Sequence, residues 1–287
     1  LVKSSAASDV YKRQILNGTT NFILSKMSEN QSSFKDALKE AQDLGLAEAD
    51  PTMDIDGTDA AQKASILSAL AFNTLYDFNS VSYEGIENVS PEDIVYAEQL
   101  EYSVKHIAYG SIVDGEVNVS AFPTFVPKGQ LLSQVGQQMN ALEIFCEEIG
   151  STVYYGPGAG PKPTASAVIA DLVDLSNGGW PVSDKKRNKN NFAKEDNQNF
   201  GRYFNLNVIN QAGAIAKLSS VFADSQISIE ALIQKETKTN NKENTYVPVV
   251  IISGPLTEIE AIQLKNNLEL MEETSDSVKQ FRIYNAI

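Results

Sequence analysis

The sequence predicts an α/β (α+β) chain in two units: a mixed sheet with helices on one face, then a smaller ferredoxin-like βαββαβ unit. Three observations carry this prediction. Short apolar runs alternate with period two, and longer ones repeat with helical period. Residues 183–200 (SDKKRNKNNFAKEDNQNF) hold almost nothing apolar and divide the pattern. Beyond them the runs follow in the order strand, helix, strand, strand, helix, strand.

Residues 1–14 are small, polar and aperiodic and join abruptly to the apolar Ile15, so they read as a non-native leader. A short helix is expected over 20–27. A second follows over 33–44, where Ser33 and Asp36 make a capping-box-like start and Phe34, Ala37, Leu38, Ala41 and Leu44 repeat before Gly45. An acidic loop over 47–57 leads into an Ala-rich helix over 58–73. Alternating runs on both sides of Asp114-Gly115 predict strands over 105–127. A helix is expected over 131–150, a strand over 152–155, a loop over 156–163 and a helix over 164–177. The first unit therefore covers 15–182, a linker 183–201, and the second unit 202–287. Within the second unit, strands are expected at 203–210, 227–235, 246–253 and 278–284, with helices at 213–225 and 257–271.

The chain has 287 residues, enough for roughly one to three domains of ~100–200 residues. A net charge of −14 and a pI near 4.6 argue against nucleic-acid or membrane-surface partners. No apolar run approaches the ~20 residues that cross a bilayer. The lone Cys146 excludes an internal disulfide and a multi-cysteine metal site, and no metal site is expected. A soluble cytoplasmic protein fits these features.

Between Glu48 and Lys63 stand Glu48, Asp50, Asp54, Asp56 and Asp59 with no intervening base. A calcium loop fails here, because setting Gly57 at its sixth position puts Lys63 where a bidentate Glu must sit. A solvated loop followed by an ordinary Asp59–Lys63 helix pair is the plain reading. Against it, Asp59, Lys63, Ile66, Leu67 and Leu70 share one helical sector opposite Ser65 and Ser68, so the charged pair extends an apolar stripe into a cleft or interface. The third reading is a grip for a small amino acid or amino aldehyde. Carboxylates would hold its ammonium and a lysine would exchange a hydroxyl proton. A carboxylate-pair hydrolase is a weaker alternative, with Lys63 speaking against it.

Ile15-Leu16-Asn17-Gly18-Thr19-Thr20-Asn21-Phe22-Ile23-Leu24 closely resembles the segment that opens the substrate-binding domain of homoserine dehydrogenases. Glu48-Ala49-Asp50-Pro51-Thr52, then Asp54-Ile55-Asp56-Gly57-Thr58-Asp59-Ala60-Ala61-Gln62-Lys63, looks like that family's signature. Gly156-Pro157-Gly158-Ala159-Gly160 with 163–168 resembles a third block. The second unit resembles an ACT domain. The resemblance implies NAD(P)-dependent interconversion of aspartate semialdehyde and homoserine, in the synthesis of threonine, methionine and isoleucine. It implies Lys63 and Asp59 as the catalytic pair and Glu48, Asp54, Gly18 and Thr19 as substrate-binding residues. Asn17, Gly18, Gly158 and Gly160 would border the cofactor. The ACT-like turn Asn210, Ala212 and Gly213 would hold an effector, with threonine the pathway-consistent one. A homodimer or higher homo-oligomer is the family expectation.

Two departures from the family pattern matter. Leu46 stands where the family has Tyr. No strand–GxGxxG–helix unit occurs anywhere in the sequence, so the nucleotide-binding domain, with a second active-site lysine, is expected to be missing. The loop at 156–160 is a tight turn rather than a phosphate cradle, because Pro157, Pro161 and Pro163 remove backbone donors. The chain alone is then expected to bind NAD(P) weakly or not at all and to be inactive. The helix at 164–177, which in the family packs on the nucleotide-binding domain, should leave apolar surface bare. A rival reading is an amino-acid-sensing ACT module on a dimerisation scaffold. His106 is expected to be a partly exposed strand residue, and Trp180 to pack at a domain edge.

Overall fold

The structure, a computed structural model, describes residues 11–74, 78–113, 115–146, 148–179, 193, 198–234, 245–275 and 277–284. Among them runs one ten-stranded mixed sheet. Its order is β6 (Gly150–Pro157), β5 (Met139–Cys146), β1 (Tyr11–Ile15), β3 (Tyr102–Val113), β4 (Glu116–Pro127), β10 (Lys279–Ile283), β7 (Phe200–Ile209), β9 (Tyr246–Leu256) and β8 (Ile229–Gln234). A short β2 (Ser82–Tyr83) pairs with β4.

The last four strands of that order, with α7 (Ala214–Asp224) and α8 (Glu258–Glu269), form the βαββαβ unit. Its strand order 4-1-3-2 is the ferredoxin-like one. β10 also pairs in parallel with β4, Arg282 opposite Thr124, so both units share one sheet. The register shows how the two sides are used. Phe204, Leu206, Val249 and Ile251 meet α7 and α8 on one face. Their neighbours Tyr203, Val250, Ile252 and Phe281 join a core built on the other face. That core contains the apolar side chains of α1 (Gly18–Asn30), α2 (Phe34–Asp43) and α5 (Pro91–Gln99).

At this junction Asp93, wholly buried in the first turn of α5, accepts five hydrogen bonds. Two come from the Ser90 backbone N–H and hydroxyl, closing a capping box. The others come from the Tyr203 hydroxyl (2.9 Å), Asn205 Nδ2 (2.7 Å) and Lys279 Nζ (3.2 Å). Burial and the Asp93 carboxylate push the Tyr203 phenol far above its ordinary value, so it stays a donor.

Several sequence expectations change. Residues 11–14, assigned above to a leader, form β1 between β3 and β5. Of that expected leader, 1–10 lie outside the described residues. The helix expected over 131–150 is instead a 3-10 turn, Leu131–Gln134, followed by strand β5. Gly136 and the positive φ of Gln137 (54°) break the helical path, and Ala141 and Glu143 are buried in strand alternation. Helix α5 was not anticipated, although Ser90-Pro91 with Asp93 spells its start. Of the linker, Ala193 is buried, and Phe200 and Gly201 already belong to β7; most of 183–197, like Trp180, lies outside the described residues. Among the described residues no helix is long and apolar enough to cross a membrane.

In α4 (Thr58–Ala71) the two expected sectors are opposite one another, but the serine side is the buried one. Ser65 and Ser68 are buried with Ala60, Ala61 and Ala64 against β3 and β4, while Ile66 (51%) and Leu70 (67%) are exposed. The helix approaches too closely for large side chains: a β-carbon on Gly110 of β3 would lie 2.4 Å from the Ser68 hydroxyl. His106, expected partly exposed, is 3% exposed, with Nε2 2.8 Å from the Glu84 carbonyl. Burial holds its pKa below the usual value.

Among the described residues two lysines are buried, and desolvation lowers Lys12 and Lys105 each to about 8. Below pH 8 both folded and unfolded states carry the proton, so the burial cost is fully present. Between about 8 and 10.5 only the unfolded state keeps it, so stability rises with pH. Lys105→Met is therefore expected to stabilise the protein by about 1–3 kcal/mol at pH 7, the gain fading by pH 10.5. Denaturant titrations across that range measure it, and a pH-independent difference would contradict the account.

Candidate functional site

The N-terminus of α1, the loop after α2, the short helix α3 (Thr52–Ile55) and the first turns of α4 surround one cavity of about 710 Å³. Each wall has a local cause. Asn17 caps α1 by accepting from the Thr20 N–H at 2.8 Å. Gly45 ends α2 with φ +70° and turns the chain back toward the cavity. Gly57, φ +87°, starts α4 in a conformation that β-carbons resist. Gly85 locks the acidic loop from below, since a β-carbon there would lie 2.0 Å from the Ile55 carbonyl oxygen.

Glu48, Asp54, Asp59 and Lys63 all line this cavity, together with Gly18 and Thr19. Lys63 Nζ donates to Asp59 Oδ2 at 2.7 Å and reaches the Leu16 carbonyl at 3.4 Å. The pair is only part-covered, 49% and 25% exposed, so it faces the cavity's solvent rather than a dry core. Asn17 links the carboxylates. Its Nδ2 donates to Asp54 Oδ1 (2.6 Å) and Asp59 Oδ2 (2.9 Å). Asp54, Asn17, Asp59 and Lys63 thus form one hydrogen-bonded chain. The Thr52 hydroxyl and N–H hold the Asp50 carboxyl below its ordinary pKa at the rim. Four carboxylates facing one ammonium suit a ligand bearing a positive amino group.

Of the residues expected at a cofactor, Asn17, Gly18 and Gly160 line the cavity, whereas Gly158 packs on Asn140, whose amide would lie 1.8 Å from a β-carbon at that position. Asn140 Nδ2 donates to the Leu16 carbonyl. Leu46 lines the cavity, and its carbonyl accepts from the Thr19 hydroxyl at 2.9 Å. Gly45, Met53 and Gln138 also line it and were not singled out from sequence. Gly45 was read only as a helix stop, and Gln138 fell inside the misassigned helix. Asn210, Ala212 and Gly213 lie together in an exposed turn at the start of α7 and do not line this cavity.

Beside the cavity, α6 (Pro161–Ser176) begins after Gly160 with Pro161 in its first turn, as the tight-turn reading requires. It buries no residue: Val168, Ile169, Leu172, Val173 and Leu175 are all more than half exposed. The expected bare apolar helix is present.

A family model described as homoserine dehydrogenase matches residues 3–173, starting inside the stretch read above as a leader. A homoserine dehydrogenase of Bacillus subtilis (strain 168) is 34% identical over 274 residues, 94% of this chain and 63% of the relative. One from Pseudomonas aeruginosa is 34% identical over 281 residues, with 94% and 64% covered. Among solved structures, a homoserine dehydrogenase from Thiobacillus denitrificans superposes with a TM-score of 0.88 at 34% identity, covering 98% of this chain and 65% of that one. That of S. aureus at pH 6.5 gives 0.72 at 32% identity, covering 98% and 67%. The chain spans a little under two thirds of the length of these two curated relatives.

Proposed function

The chain belongs to the homoserine dehydrogenase family, and on that premise we propose that its acidic cavity is the substrate half of an enzyme interconverting aspartate semialdehyde and homoserine with NAD(P). One observation carries this reading: the Lys63 ammonium and the carboxylates of Glu48, Asp54 and Asp59 line a single cavity. Glu48 and Asp54 hold the ligand's α-ammonium. Asp59 orients Lys63, whose Nζ takes the hydroxyl proton when homoserine is oxidised and gives it to the carbonyl oxygen when the aldehyde is reduced. Gly18 and Thr19, at the N-terminus of α1, border the reacting carbon. The products serve threonine, methionine and isoleucine synthesis in the cytoplasm.

The residues present do not fit a whole dinucleotide. The glycine-rich loop at 156–160 is filled by Asn140 at Gly158 and interrupted by prolines, leaving no phosphate cradle. Gly18 and Gly160 can border only one end of a cofactor. The bare apolar face of α6 supports a nucleotide-binding domain packing there, so this chain alone is inactive. The βαββαβ unit acts as an ACT-type module with an amino-acid effector, threonine, at Asn210, Ala212 and Gly213. The assembly is a homodimer or larger.

Calorimetry tests the reading. Homoserine should bind the isolated chain, Glu48→Gln and Asp54→Asn should each weaken it about tenfold or more, and added NAD(P) should yield no homoserine oxidation. Threonine binding without homoserine binding would instead favour a sensor on a dimerisation scaffold. Turnover by the chain alone would refute its inactivity.

A further inference from the structure

A second cavity, of about 200 Å³, lies apart from the acidic one, between α1, β3 and the turn at Leu131–Gln134. Its origin is topological. β1 leaves the sheet after Ile15, so β3 residues 102–106 pair only with β4, and their other edge faces the gap. Lys105 projects there, 6% exposed, and among the described residues its Nζ has a single acceptor, the Val135 carbonyl at 2.6 Å. Glu29 attracts this ammonium from beyond ion-pair reach. Its carboxylate is exposed at the rim and held by Gln137 Nε2 at 2.8 and 3.1 Å.

A buried ammonium with one neutral acceptor is costly unless an anion meets it. The hydroxyls of Ser25, Ser28 and Ser133 already donate to the Asn21 carbonyl, Glu98 and backbone carbonyls of 128 and 130. Ser103, two residues from Lys105 and so on the same face of the strand, makes no such bond among the described residues and also lines the cavity. The chemistry is therefore polarised: a cation and a free hydroxyl on the floor, a carboxylate at the mouth, and Leu24, Ile94 and Val104 as apolar wall. A plain anion satisfies the floor but is repelled at the rim; a plain cation does the reverse. The volume lies below the ~300–1,000 Å³ of drug-sized sites, which restricts the occupant to a very small molecule.

We propose that this cavity is a binding site for a small zwitterionic α-amino acid with a short side chain, its carboxylate on Lys105 and Ser103 and its ammonium on Glu29. The site is separate from the acidic cavity and does not depend on the activity proposed there. The loop carrying Gly136 is shared: it lines this cavity, and two residues on, Gln138 lines the other.

Calorimetry on the intact chain at pH 7, with L-alanine, L-serine, acetate and methylamine as separate probes, tests the proposal. The two amino acids should bind at least tenfold tighter than acetate or methylamine. Lys105→Met and Glu29→Gln should each weaken them about tenfold or more, while Asp54→Asn in the acidic cavity leaves them unchanged. Glu29 is at the surface, so its variant reads the site without the change in stability expected of Lys105→Met. Equal affinity for acetate would make this an anion site only and overturn the proposal. So would binding that survives Glu29→Gln, binding lost in Asp54→Asn alone, or no binding on the order of 10 mM.

Discussion

Asp93→Ala is expected to cost about 3–5 kcal/mol of folding stability, the range for removing one member of a buried charged network. The carboxylate is wholly buried and receives donors from both units: Ser90 from the first, and Tyr203, Asn205 and Lys279 from the second. Alanine leaves the Tyr203 hydroxyl and the Asn205 amide without that acceptor, and each stranded group carries a desolvation cost of about 1–3 kcal/mol. Lys279 is 40% exposed and recovers water, so its share is smaller. Asp93→Asn keeps the shape and one acceptor oxygen and should lose roughly half as much. Urea denaturation followed by a probe in each unit reads both the loss and its cooperativity. A cost below ~1 kcal/mol would mean the apolar contacts of Tyr203, Phe281 and Phe125 hold the junction without Asp93.

The second large effect concerns chemistry. With this chain joined to the roughly one third of the Bacillus subtilis relative that it does not match, Lys63→Met should lower kcat by about 10²–10⁴, the span typical of a general acid–base group. Lys63→Arg should not restore it, because a guanidinium keeps its charge but cannot release a proton near neutrality. Thermal stability should barely change in either variant, since a part-exposed i,i+4 pair contributes ~0–1 kcal/mol. That contrast separates a chemical role from a structural one. A kcat within tenfold of the parent would remove Lys63 from the proposed reaction.

Where local chemistry decides structure, the sequence was readable. The Ser33–Asp36 start of α2, the turn at Gly115 between β3 and β4, and Pro161 after Gly160 all behave as their residue types dictate. So did the βαββαβ order. Misreadings arose where tertiary contact overrides periodicity. The 131–150 segment has enough apolar residues for a helix, yet β5 gains partners on both sides, β1 and β6, which no local pattern encodes. In α4 the apolar stripe was expected at a cleft or interface, and Asp59 and Lys63 do line the cavity, but the opposite, small-residue face sits close to β3 and leaves Ile66 and Leu70 exposed. The cavity residues Glu48, Asp54, Asp59 and Lys63 were legible as a cluster of charge. The bridging amide of Asn17 was not, because its two acceptors lie on α3 and α4 and only folding brings them to one nitrogen.

Strand β10 has a consequence for biosynthesis. It sits between β4 and β7, although β4 is finished at Pro127 and β10 starts only at Lys279. While the ribosome is still making the intervening stretch, β4 presents an open hydrogen-bonding edge in the middle of what will become a continuous sheet. Such late closure slows maturation and invites strand exchange between nascent copies, making yield sensitive to chaperone supply and to growth temperature.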